Sequence, residues 1–270
     1  MATDIAAIQE ELRVLLEFFH KLCTEHGIEY SLHGGTLLGA IREKGFIAWD
    51  DDADVTMDRI NYNRFYELMK SVELPKGFGF VDESRFPQFA MKREGRPPVW
   101  TDIFVYDYIS EKPFARKMKI AGTNFFILVT RRISDQKMSN KNGLYKGVKK
   151  FLMNVLVYSA QIVPYKWRLA QARWFMRRFP GKKQFVHRSN DTRVGTAKIL
   201  PAEVISGYEV IDFTGFDVMV LKRWHEVLTN SYGADYMTPR KDKPDGMHEI
   251  TLVKEQQEIE AFLEKRKRDR

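Results

Sequence analysis

Between Asp50 and Met57 the chain reads Asp-Asp-Asp-Ala-Asp-Val-Thr-Met, and few local structures can accept that run. Asp52 and Asp54 are spaced i, i+2. On a β-strand successive side chains alternate, so both carboxylates share one face, about 7 Å apart. Ala53, Val55 and Met57 then point the other way, into a core. Carboxylates at that separation can share a hard divalent cation with a phosphate. A solvated turn explains Asp50 and Asp51 as well as a site does. A calcium-binding EF-hand loop is excluded, because its glycine and its later glutamate are missing.

The residues upstream supply a partner for such a strand. Ile28, Tyr30 and Leu32 alternate and predict a strand. Gly34-Gly35-Thr36 turns the chain, and Leu37 to Ile41 form a short helix. Backbone N–H groups at a helix start point at an anion, and the helix dipole favours a phosphate there. A Gly-Gly pair alone is often only a turn. Arg42 and Lys44, between the two elements, can take phosphate charge, Arg42 with the stronger case.

The remaining pattern is mixed α and β. Residues 4–26 carry a helical stripe of Ile5, Ile8, Leu12, Leu15, Phe19 and Leu22, closed by Gly27. Asp58 caps a helix with Tyr62, Phe65, Leu68 and Met69 inward. Phe78–Val81 and Phe89–Lys92 suggest a hairpin. Val99–Ile109 is rich in β-branched and aromatic residues and reads as a strand. Asp102 enters this strand near its start, where an unpaired charge is costly. If the strands form one sheet, Asp52, Asp54 and Asp102 make an open Mg²⁺ or Mn²⁺ site. Further on, a hairpin is expected about Thr214-Gly215, then helices at Lys222–Asn230 and Gln256–Lys267, with the loop Tyr232–Pro239 between them.

Charge is unevenly placed. The net charge is +8, yet Lys112 to Lys183 holds eighteen Lys/Arg against one acid, Asp135, or +17, which leaves −9 elsewhere. A segment of that sign is made to meet something anionic. It is expected to be mostly helical, with an apolar run from Phe151 to Val163 that is too short to span a bilayer and is broken by Pro164. Three roles stay open for it: holding an anionic glycan acceptor, lying peripherally on the inner membrane surface, or forming a solvated helical face. The single cysteine, Cys23, excludes a disulfide framework and reads as a small core residue. The N-terminus lacks the pattern of a signal peptide, so a cytoplasmic location is expected.

The stretch His33-Gly-Gly-Thr-Leu-Leu-Gly-Ala-Ile-Arg-Glu-Lys-Gly-Phe-Ile-Ala-Trp-Asp-Asp-Asp-Ala-Asp-Val55 resembles the signature of the LicD family of phosphotransferases, which are similar to the fukutin-related proteins. Tyr208–Gly215 and Tyr232–Pro239 resemble that family's C-terminal region more loosely. Ala48 and Ala53 depart from the family pattern, and neither alters a carboxylate. The resemblance implies an α/β (α+β) fold with a nucleotidyltransferase-like mixed sheet core, flanking helices and a basic, mostly helical insertion. It divides the chain into a catalytic core at 1–110, the insertion at 111–183, and a C-terminal part at 184–270 that completes the core.

The implied reaction moves a phospho-alcohol, phosphocholine first among them, from a CDP-activated donor to a hydroxyl of a cell-surface glycan precursor such as a teichoic acid or lipopolysaccharide, releasing CMP. Asp52, Asp54 and Asp102 would be the metal ligands. Gly34, Gly35 and Thr36 would meet the donor phosphates, with Arg42 as the cation. Asp50 or Asp102 would accept the hydroxyl proton. His33, His248 and Asp235 are secondary candidates. Rival readings are a nucleotidyltransferase using NTP on RNA or a small molecule, a glycosyltransferase with an Asp-x-Asp motif, and a non-catalytic glycan- or membrane-binding module. Nucleic acid is not the expected partner.

Overall fold

The computed structural model describes residues 5–141, 146–178, 182–239 and 256–265. His248 lies outside the described residues. The chain divides into two compact units: residues 1–82, 86–106 and 203–270, and residues 83–85 and 107–202.

The first unit is a mixed sheet with helices. Its elements are α1 (Ile5–Glu25), β1 (Ser31–Leu32), α2 (Gly34–Arg42), β2 (Ala53–Asp58), α3 (Arg59–Ser71), β3 (Phe78–Val81), β4 (Gln88–Met91) and the first part of β5 (Val99–Ile109). The strand order is β1-β2-β5-β4-β3, parallel only between β2 and β5. The β2–β5 register sorts the side chains into two sets. Ala53, Val55 and Met57 pair with Thr101, Ile103 and Val105, and all six are buried. Asp54, Thr56 and Asp58 pair with Asp102, Phe104 and Tyr106 and share the opposite face. An aromatic cluster fixes the helices: Phe19 of α1 meets Tyr30, Phe65 of α3 and Phe89 of β4 at centroid distances of 5.0, 5.4 and 5.5 Å. Aromatic contacts in this range add to plain area burial.

Local chemistry sets the element ends. Asp58 Oδ1 accepts from the N–H groups of Ile60 and Asn61 and caps α3. The hairpin β8 (Tyr208–Phe213) to β9 (Phe216–Leu221) turns at Thr214 and Gly215, with φ +52° and +88°. Two successive positive φ values suit the twist of a two-residue hairpin. Then follow α8 (Trp224–Tyr232) and a helix over 256–265, termed α9.

The second unit holds α4 (Pro113–Val129), α5 (Ile133–Lys141), α6 (Gly147–Ala160) and α7 (Tyr165–Arg177), with β6 (Phe185–Arg188), β7 (Ile199–Pro201) and the end of β5. The basic segment is therefore helical, and α6 stops four residues before Pro164. Two buried cations hold the helix ends. Lys119 Nζ donates to the carbonyls of Phe175 (2.6 Å), Met176 (2.9 Å) and Arg178 at the end of α7. Arg168 donates to the carbonyls of Val163 (2.9 Å) and Val129 and to Gln161 Oε1 (2.9 Å). Carbonyls at a helix C-terminus lack intrahelical donors, so a cation there satisfies both the lone pairs and the dipole. His187 is fully buried, its ring nitrogen Nδ1 lies 3.0 Å from the Thr196 carbonyl, and burial pushes its pKa down to about 4. The imidazole is neutral, and Nδ1 donates that bond.

Lys119→Met removes the shared donor and leaves three carbonyls without it. We expect a loss of about 2–4 kcal/mol in urea unfolding, and no measurable change for the exposed Arg177→Met control.

Candidate functional site

The site grows from the β2–β5 register. Asp54 and Asp102 are direct partners across the two parallel strands, so their carboxyl groups stand side by side on one face. Gln88, the partner of Asp102 on β4, donates from Nε2 to Asp102 Oδ1 at 2.9 Å. Asp51 and Asp52 are not part of the strand, which the sequence predicts over Asp51–Met57 and which begins two residues later, at Ala53. Asp50, Asp51 and Asp52 form the approach to it, and each offers a carboxylate oxygen within 4.8 Å of the other two.

The helix start meets these acids. α2 begins at Gly34 itself, and its N-cap residue, His33, provides no side-chain cap. The first N–H groups of α2 are thus left for an outside acceptor. Gly34 has φ +56°, and a Cβ there would lie 2.8 Å from Asp54 Oδ2. A Cβ on Gly35 would lie 2.7 Å from Asp50 Oδ2. Both glycines are needed for close approach, Gly34 also for its backbone angle. Thr36 Oγ1 accepts from the Asp54 N–H at 2.9 Å, and the His33 N–H donates to the Asp54 carbonyl at 2.8 Å. The turn is thereby tied to β2 on both sides of Asp54.

Asp50 carries the clearest electrostatic signature. Burial, followed by the charges of Asp52 and Asp51, pushes its pKa up to about 8. Its Oδ2 is buried and has no hydrogen-bond partner. An orphaned oxygen among three converging carboxylates fits an oxygen-seeking divalent cation, which would supply the missing charge. Asp51 and Asp52 also line a small cleft with Ile8, Leu12, Pro98, Val99, Trp100 and Gln256.

Other candidates lie further away. Arg42 sits at the opposite end of α2 from the glycines, roughly 12 Å along the axis at 1.5 Å per residue. Its Nε donates to Glu43 at 2.7 Å and its guanidinium to the Tyr236 carbonyl at 3.3 Å. Tyr236 in turn bonds His225 Nδ1 through its hydroxyl at 2.7 Å. The loop after α8 is thus bound to α2 through Arg42. Asp235 belongs to that loop. His33 is buried, with its ring 4.7 Å from that of Phe104. Lys44 serves as a turn residue with φ +61°, and its carbonyl accepts from Thr214 N–H. Sequence reasoning did not find Gln88 or Tyr236. No local pattern marks either one, because each acts through a contact made by the fold.

Comparison with known proteins bears on this arrangement. Residues 27–127 match the family described as LicD/FKTN/FKRP, nucleotidyltransferase domain. The chain is 31% identical over 258 residues to the lipopolysaccharide cholinephosphotransferase LicD of Haemophilus influenzae, covering 88% of this chain and 94% of that protein. The chain belongs to the LicD family. It is a LicD-type phosphotransferase, with the mixed α+β fold described above. An uncharacterized protein of Rickettsia prowazekii is 29% identical over 107 residues, covering 37% of this chain and 40% of that protein. The matched LicD segment includes the glycine turn, all the acids of the run and Asp102.

The raised pKa of Asp50 has a sign that can be tested without substrate. Its ordinary value is 3.8 and its folded value about 8, so between those limits the folded protein holds a proton that the unfolded chain releases. Stability of metal-free protein therefore falls as pH rises through this window, by up to about 1.4 kcal/mol per pH unit. Urea unfolding in chelator at several pH values should show that slope, and Asp50→Asn should flatten it.

Proposed function

We propose that this LicD-type enzyme transfers phosphocholine from CDP-choline to a hydroxyl of a cell-surface glycan precursor, with lipopolysaccharide the first acceptor class to examine. The observation that carries the reading is the Asp54–Asp102 pair beside the glycine start of α2, in a chain resembling a lipopolysaccharide cholinephosphotransferase along most of its length. Teichoic acid precursors, ribitol phosphate and glycerol phosphate are chemical neighbours of the same reaction. The expected location is cytoplasmic, where CDP-activated donors would be met.

Asp52, Asp54 and Asp102, with Asp50 beside them, would hold Mg²⁺ or Mn²⁺. Bound there, the cation supplies charge neutralisation at the diphosphate and the departing phosphate. The chain's own residues do the rest. The free N–H groups of Gly34, Gly35 and Thr36 receive phosphate oxygens of the donor. The acceptor oxygen attacks the phosphorus carrying choline, the bond from that phosphorus to the bridging oxygen breaks, and CMP leaves with the electron pair. Asp50 takes the hydroxyl proton when it is ionised. The raised pKa of about 8 belongs to the cation-free site, and a cation beside Asp50 would lower it and keep the carboxylate ionised at neutral pH. Most of the acceleration in such a transfer comes from positioning and charge stabilisation. Arg42 enters as the cation that holds the loop carrying Asp235 and Tyr236 against α2.

A nucleotidyltransferase would use the same glycine turn and carboxylates, and product analysis separates the two. Purified protein given CDP-choline, a divalent cation and a lipopolysaccharide acceptor should release CMP and label the acceptor with phosphocholine. Asp54→Asn should lower the rate by about a thousandfold or more while leaving the unfolding midpoint within ordinary surface-mutant limits. Incorporation of a nucleotide from NTP, or an active Asp54→Asn enzyme, would count against the proposal.

A further inference from the structure

Helix α6 carries its apolar stripe on the outside. Val148, Phe151, Leu152 and Val155 recur at i, i+3, i+4 and i+7 and share one face. All four are exposed, Phe151 at 66%. Val157 is the buried residue of this helix. The exposed character continues into the corner after α6, where Ile162 is 86% exposed, and onto α7, where Trp167 is 67% exposed. A globular unit normally turns such a stripe inward, so this one is built to meet something other than water.

Charge decides what that is. Lys146, Lys149 and Lys166 are exposed on the same elements, and acids are almost absent from the whole basic segment. A partner protein would have to match an exposed apolar stripe flanked by lysines with an acidic groove. An anionic bilayer satisfies both demands at once: headgroups take the lysines, and the acyl boundary takes the aromatic and aliphatic side chains. At exposures this high the stripe can enter the interface without rearrangement of the fold. The run is too short to cross, and among the described residues no helix is long and apolar enough to span a membrane.

We propose that the face formed by α6 and the α6–α7 corner docks peripherally on an anionic phospholipid surface, with Phe151 and Ile162 as inserting residues. This does not rest on the identity of the transferred group.

Flotation of the full-length protein with vesicles of phosphatidylcholine containing phosphatidylglycerol tests it. The protein should float with these vesicles at low salt, less at high salt, and weakly with pure phosphatidylcholine. The double variant Phe151→Ser/Ile162→Ser should bind roughly tenfold more weakly, since each side chain loses much of its transfer free energy. Its thermal midpoint and its CMP release with a water-soluble acceptor should stay unchanged, which separates failure of docking from failure of the catalytic reading. Equal flotation of variant and wild type, or no flotation at low salt, overturns the proposal. So does a wild-type dimer in sedimentation that the double variant converts to monomer, because the face would then belong to a second copy.

Discussion

The parallel register of β2 on β5 is the constraint on which the rest depends. It sets Asp54 beside Asp102 at the roughly 5 Å spacing of adjacent strands. Two like charges at that distance repel by about 3 kcal/mol at an effective dielectric near 20. The same register buries Val55, Met57, Ile103 and Val105 on the opposite face, each worth about 2 kcal/mol. Burial wins, and the fold holds together a carboxylate pair that would separate in a free chain. The Gln88 amide and the Thr36 and His33 contacts then orient the pair and its strand. In this way an apolar face stabilises an acidic one.

Much of this was legible in the sequence because its signals are local. Alternation announced the buried face of β2, and Val99–Ile109 matched its strand end to end. The glycine turn was read as preceding its helix, whereas Gly34 begins α2 and brings the backbone against Asp54. Asp51 and Asp52 fall outside β2 for a reason visible only in the pairing. The β2–β5 register begins at Ala53 and Thr101, so the acids before Ala53 are not held in that ladder. The acids there converge, all three half-buried, and Asp50 has a buried oxygen. Arg42 and Tyr236 are 194 positions apart, and no spacing rule foresees their contact.

The helical unit shows a different limit of pattern reading. The periodicity of α6 identifies a face and says nothing about where that face points. The structure answers with solvent exposure and assigns the stabilising work to other residues. Lys119 and Arg168 are cations by composition, yet both are buried at helix C-termini and offer no charged group for direct contact with a ligand. Net charge alone thus overstates the number of cations in this segment that a ligand can touch. The exposed lysines beside the α6 stripe carry the part of it that a ligand would feel.

The central claim is that carboxylates from the acidic run and from β5 act as one cation site. Electron paramagnetic resonance of Mn²⁺ titrated into the protein with CDP present tests it most directly. We predict bound Mn²⁺ whose affinity drops at least about tenfold in Asp54→Asn and again in Asp102→Asn, while the capping variant Asp58→Asn keeps wild-type affinity. Unchanged Mn²⁺ binding in both site variants would contradict the account.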